Sequence, residues 1–181
     1  MIDPASVAIR RATVADAARL SGLSAAAFTE TFGHLYPADD LRGFLTASHS
    51  ETAWIRALED PIRAVWIASV AEGEPIAYLS VGACKLPVEK IEAHAGEIHQ
   101  LYVLAAHHNL RLGSRLMEIG LEWLQAQGRL PLYVGVWSDN AGAQRFYSRY
   151  GFVKVGEYGF PVGGTVDREF ILRREGPTPR S

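Results

Sequence analysis

"EIHQLYVLAAHHNLRLGSRLM" (residues 97–117) passes from strand-like alternation to helical spacing within one short stretch, and its reading decides the fold. In the first part, Ile98, Gln100 and Tyr102 fall on one side of an extended chain, and Glu97, His99, Leu101 and Val103 on the other. From Leu110 onward the apolar residues Leu112, Leu116, Ile119 and Trp123 recur at helical spacing up to Gly128, a glycine suited to ending a helix. Between them lie His108, Asn109, Leu110, Arg111, Leu112, Gly113 and Ser114. The free backbone N–H groups of a helix's first turn, aided by the helix dipole, form an anion site without needing particular side chains. A strand feeding a helix in this way suits a phosphate-bearing ligand, and equally suits an ordinary loop, so the surrounding chain must decide.

Upstream, Val7 to Arg10 reads as a short strand, and Thr13, with Asp16 three residues on, opens an Ala/Leu-rich helix. Pro37, Asp39 and Asp40 open a second helix to about Leu45, and Ser50 and Glu51 a third to about Glu59. "AVWIASVAEGEPIAYLSVGAC" (64–84) is two β-rich runs joined by a Glu-Gly-Glu-Pro turn. "LPVEKIEAHAG" (86–96) is polar and broken, a loop. Downstream, "LYVGVW" is a strand, "NAGAQRFYSRYG" a short helix ended by Gly151, and "FVKVGEYGF" with "DREFILRR" a closing pair of strands. The pattern predicts one domain over residues 1–175 and a disordered tail over 176–181.

With 48% hydrophobic residues in 181, the chain has ample material for one buried core, and a net charge of −2 argues against nucleic acid as the main ligand. No apolar run approaches a membrane span, and Cys84, the only cysteine, excludes an internal disulfide. The start lacks a secretion signal's order, so the expectation is a cytoplasmic protein with no membrane partner. His94, His99, His107 and His108 lack the helical i, i+4 pair with a nearby carboxylate that zinc enzymes use, so no metal is expected.

Two linked segments, 97–117 and "LYVGVWSDNAGAQRFYSRYGF" (132–152), resemble the core of the GNAT superfamily, the acetyl-CoA-dependent N-acetyltransferases, and the resemblance extends from Val7 to about Arg173. The superfamily's pyrophosphate loop, Gln/Arg-x-x-Gly-x-Gly/Ala, is altered here: His108 takes the first place, Arg111 that of the first glycine, and Gly113 the second. The second motif, Asn-x-x-Ala-x-x-Phe-Tyr-x-x-x-Gly-Phe, is complete in Asn140, Ala143, Phe146, Tyr147, Gly151 and Phe152. Within the superfamily, "FTETFGHLYPADDLRGFL" (28–45), "LYVGVW" and "FPVGGTVDREFIL" (160–172) look like the PaiA-like branch of polyamine acetyltransferases.

The resemblance implies an α/β (α+β) fold with a mixed, mostly antiparallel sheet of about seven strands flanked by about four to five helices. It implies acetyl-CoA as co-substrate, held by Leu101, Tyr102 and Val103 along the strand, by residues 108–114 at the pyrophosphate, and by Asn140, which also suits an N-cap. It implies direct attack by a primary amine in a ternary complex, most simply a small-molecule polyamine such as spermidine or spermine. Alternatives are a protein N-terminus or lysine, or a non-catalytic acyl-CoA-binding module, and a homodimer is left open. An alkylammonium has a pKa near 10, so attack needs a proton acceptor; Glu97 comes first and His99 second. Tyr147 matches the family's acid for the departing thiolate, and otherwise reads as an aromatic core plug. Asp39, Asp40 and Glu97 are acidic candidates for holding a polycation. Arg111 is expected near ordinary helical angles in the helix's first turn, its side chain on a phosphate or in solvent.

Overall fold

In the computed structural model, which describes residues 6–70 and 73–176, a single seven-stranded sheet runs through the chain. The strands are β1 (Val7–Arg11), β2 (Arg63–Val70), β3 (Pro75–Ala83), β4 (Gly96–Val103), β5 (Leu132–Trp137), β6 (Val153–Val162) and β7 (Thr165–Arg174), in the spatial order β1-β2-β3-β4-β5-β7-β6. Every neighbouring pair is antiparallel except β4 with β5. Five α-helices accompany them among the described residues: α1 (Ala17–Phe32), α2 (Ala38–Ser48), α3 (Glu51–Glu59), α4 (Leu112–Ala126) and α5 (Ala141–Arg149). The expected tail lies outside the described residues from position 177 on.

Alternation sorts the strands' side chains into two layers. Leu79, Val81 and Val134 pack with Leu112, Leu116 and Leu124 of α4 and Tyr147 of α5 on one face. Val65, Ile67 and Tyr78 pack with Leu20, Leu23 and Ala27 of α1 and Trp54 of α3 on the other. The helix starts follow their sequence signals. The Asp16 carboxylate accepts the Thr13 N–H at 2.9 Å and pairs with Arg10 at 2.6 Å, and the Arg10 guanidinium is the main cause holding it down at about 2. Ser50 Oγ accepts the Ala53 N–H at 3.3 Å. Helix α2 runs to Ser48, past the expected end at Leu45, because His49 beyond it is drawn into the cluster of Phe28 and Phe44 and is only 3% exposed.

Strand β4 corrects the simple alternation. Ser80 faces Gln100 but Val81 faces Ile98, so His99 is an extra, bulged residue. The bulge turns Ile98 onto the α4 face with Leu101 and Val103, and leaves Glu97, Gln100 and Tyr102 on the opposite side. Strands β4 and β5 pair only at Gly96↔Leu132 and Glu97↔Tyr133. Beyond that point they part.

Candidate active site

The parting of β4 and β5 opens a groove of about 590 Å³. Leu101, Tyr102 and Val103 line one wall, and Asn140 and Tyr147 of α5 the other. Gly113 and Ser114, in the first turn of α4, close one end. A Cβ at Gly113 would stand 3.7 Å from the Phe146 ring, an ordinary contact, so nothing in the protein itself requires glycine there and the bare backbone is left facing the groove. Leu110 and Leu112 send their side chains into the core, 9% and 1% exposed, so only their backbones can meet a ligand. Asn109 belongs to the 3-10 turn Ala105–Leu110. His108 lines the groove with its ring committed, Nε2–H donating to the Val103 carbonyl at 2.8 Å.

Arg111 departs from expectation. Its backbone is left-handed, φ 53 and ψ 22, the only positive φ outside glycine among the described residues, and not helical. The cause is tertiary: the chain must turn both Leu110 and Leu112 inward while passing from a 3-10 turn to α4, and the reversal falls on the residue between them. For an L-residue that conformation costs roughly 1–2 kcal/mol. It leaves the arginine exposed at the groove's rim.

Behind the groove, on the face bearing α1 and α2, lies a second cavity of about 200 Å³. His99, Gln100, Tyr102, Gly135, Trp137 and Glu169 border both spaces, so the two communicate where the strands diverge. Phe28, Phe32 and Phe44 form an aromatic wall. Three carboxylates face in: Glu97, Asp167 and Glu169. Glu97 accepts the Lys85 N–H at 2.6 Å and stands 3.3 Å from His99 Nδ1, so the two sequence candidates are in contact. Asp167 accepts from the Tyr36 hydroxyl, and Glu169 Oε2 from the Tyr158 hydroxyl at 2.7 Å. Among the described residues none of the three has a lysine or arginine partner within ion-pair distance. Burial pushes the Glu169 carboxyl up; the Tyr158 hydrogen bond opposes this, while Asp167 and Glu97 add to it. Burial likewise raises the Tyr147 hydroxyl, keeping it a neutral proton donor.

Asp39 and Asp40 do not line the cavity. Asp39 pairs with Arg42 at 3.1 Å, and Asp40 accepts the Gly164 N–H at 3.1 Å, fixing the β6–β7 turn against α2. The inward acids are instead Asp167 and Glu169, two apart on β7 and therefore on one face. That spacing, and the matching one of Tyr158 and Phe160 on β6, was the available signal. Among the described residues no group of three or more His, Cys, Asp or Glu is placed to hold a metal ion, and no helix is long and apolar enough to cross a membrane.

Residues 25–152 match the model of the acetyltransferase (GNAT) family. An uncharacterised N-acetyltransferase of Lactobacillus delbrueckii subsp. lactis is 25% identical over 152 residues, 84% of this chain and 87% of the relative. The PaiA N-acetyltransferase of Thermoplasma acidophilum, solved in complex with coenzyme A, superposes with a TM-score of 0.71 over 94% of this chain and 99% of its own, at 16% identity. The ribosomal-protein-alanine N-acetyltransferase of Escherichia coli superposes with a TM-score of 0.68 over 97% of both chains, at 15% identity.

Proposed function

The chain belongs to the acetyltransferase (GNAT) family, and from that premise we propose that it moves the acetyl group of acetyl-CoA to a primary amine of a small polycation such as spermidine or spermine. One observation carries the choice of acceptor: the cavity communicating with the groove gathers three carboxylates, none within ion-pair distance of a lysine or arginine among the described residues and only Glu97 with a histidine beside it, walled by aromatic rings. Carboxylates gathered in one partly enclosed space without lysine or arginine partners favour a cation, and aromatic faces attract one further. About 200 Å³ suits one aminoalkyl end of such a molecule better than the whole of it. A small polycation as acceptor supports a cytoplasmic protein in this reading.

The groove fits the co-substrate by its own features. Residues 98–103 have no strand partner on the β5 side, so the backbone polar groups that face away from β3, the His108-bound Val103 carbonyl excepted, can bond an extended pantetheine arm. The N–H groups of Gly113 and Ser114 begin a 15-residue helix and suit a pyrophosphate. Arg111 at the rim adds a guanidinium for a phosphate, and Asn140 adds a polar group at the start of α5. Acetyl-CoA supplies the thioester; the chain binds it, orients it and manages protons. Tyr147, whose hydroxyl makes no hydrogen bond within the described protein, gives its hydroxyl proton to the departing sulfur. Glu97 and His99, the sequence's candidates for taking the amine's proton, form one wall of the cavity.

The test is free thiol release from acetyl-CoA across polyamines, simple monoamines, peptides and water. Spermidine or spermine should raise the rate well above water. Stimulation by peptides alone would overturn the acceptor assignment.

A further inference from the structure

Reading the cavity as the amine site still requires a group that frees the ammonium of a proton, and the three carboxylates are not equivalent. Glu97 borders only the cavity, and both its oxygens are engaged, Oε2 by the Lys85 N–H at 2.6 Å and Oε1 by His99 Nδ1 at 3.3 Å. Asp167 borders only the cavity and holds the Tyr36 hydroxyl. His99 borders both spaces, but its Nε2 is buried without a partner, 2.9 Å from where a Cβ at Gly82 would stand, so the ring is tucked against β3. Glu169 alone among the carboxylates borders both cavity and groove.

Its position is built. Glu169 stands opposite Trp137 across β5 and β7. Its Oε2 lies over Gly135, where a Cβ would come within 3.0 Å of that oxygen and 2.9 Å of the Tyr158 hydroxyl. The missing side chain on β5 is therefore what admits the carboxylate to the junction. Tyr158 holds Oε2, while Oε1 accepts no hydrogen bond within the described protein.

We propose that Glu169 is the group that takes the proton from the acceptor ammonium; this rests on the reading of the cavity as the amine site. The carboxylate removes one proton from R–NH3+, leaving R–NH2. The nitrogen lone pair forms the N–C bond to the acetyl carbon, and the C–S bond breaks with its electron pair on sulfur. Sulfur takes the Tyr147 hydroxyl proton, and the amide nitrogen returns its surplus proton to the tyrosine oxygen. Glu169 then sheds its proton to solvent as product leaves, so the net change is R–NH3+ and acetyl-CoA giving the amide, CoA thiol and one proton. The titratable groups around Glu169 are Tyr158 from β6, Asp167 on its own strand, Glu97, His99 and Tyr102 from β4, Tyr147 from α5, and Tyr36 from the turn after α1. Their signs are usable: the Tyr158 hydrogen bond lowers the Glu169 pKa, and the Glu97 charge raises it.

The experiment compares wild type, Glu169→Gln, Glu97→Gln and Tyr158→Phe in the pH dependence of kcat/KM for a polyamine. Glu169→Gln keeps the shape and should lower kcat about a hundredfold or more near neutrality, its remaining rate climbing about tenfold per pH unit as free amine becomes available. Tyr158→Phe should shift the acidic limb of the wild-type profile to higher pH, and Glu97→Gln to lower pH. A readout without turnover follows the carboxyl ¹³C resonance absent from Glu169→Gln in protein free of acetyl-CoA: it should titrate above the usual glutamate value of about 4.3, and higher still in Tyr158→Phe. A wild-type profile in Glu169→Gln, a resonance at or below the usual value, or loss of the limb in Glu97→Gln overturns the assignment of Glu169 alone. Wild-type protein inactive toward every amine overturns it together with the amine-site reading.

Discussion

Replacing Arg111 by glycine moves stability and affinity in opposite directions. The left-handed backbone, φ 53 and ψ 22, costs the arginine roughly 1–2 kcal/mol that glycine does not incur. Against this, glycine's freer unfolded chain costs about 0.4–1 kcal/mol. Taking about 1.5 against about 0.7 leaves Arg111→Gly more stable by about 0.8 kcal/mol, a rise in Tm of about 2–3 °C for a domain of this size. The guanidinium at the groove's rim is the part lost. A charge-assisted hydrogen bond to phosphate is worth roughly 1.5–3 kcal/mol, so acetyl-CoA binding should weaken about tenfold or more. Arg111→Lys retains the strained backbone, so its Tm should stay near wild type, while affinity recovers only in part without the bidentate fork. Thermal melts of the free protein and calorimetric titration with acetyl-CoA read the two quantities separately. A lower Tm in Arg111→Gly would refute the strain argument, and unchanged or tighter binding would refute the phosphate contact.

Tyr147→Phe should lower kcat about a hundredfold or more while acetyl-CoA affinity stays within about twofold, because one proton donor goes and the groove's other contacts remain; near-normal turnover would return the residue to the core. Asn140→Ala removes the 3.0 Å bond from the Ala143 N–H and should cost about 1 kcal/mol, or about 2–4 °C in Tm. Asn140→Asp restores the cap, so an affinity loss that persists in it measures the contact to acetyl-CoA rather than helix stability. Burial lowers the His49 pKa from its ordinary 6.5 to about 4. Between those values the unfolded chain takes up a proton the folded one excludes, so stability falls as pH drops through that window, by at most about 1.4 kcal/mol per unit. Asp16, held at about 2, stays ionised there. His49→Phe, set among Phe28 and Phe44, should flatten Tm against pH over this range; an unchanged acid slope would assign it to other groups.

Much of the fold was legible because its elements are locally self-consistent: α4 carries its stripe from Leu112 to Leu124 and ends before Gly128 at φ 67, and α5 starts on an Asn140 cap. What escaped the sequence is what tertiary structure imposes on residues with no local reason to comply. Arginine is a poor left-handed residue, so its conformation follows only from burying Leu110 and Leu112 on either side. The β4 bulge has no signature either, since plain alternation puts Ile98 and Tyr102 on one face and Leu101 and Val103 on the other, and either register buries something. The cavity unites Tyr36 and Asp167 across 131 residues, a meeting no local pattern announces, and an acid pair on a strand reads as a solvated face until the sheet order puts it inward. Yet these departures are not scattered. Arg111 edges the groove, His99 and Glu169 border both groove and cavity, and Asp167 the cavity. A strained backbone, an interrupted ladder and a cluster of like-charged carboxylates without lysine or arginine partners among the described residues each work against stability. Their convergence on one continuous space means that folding alone does not explain them; a bound thioester and a cationic acceptor, in contact with all four residues, would.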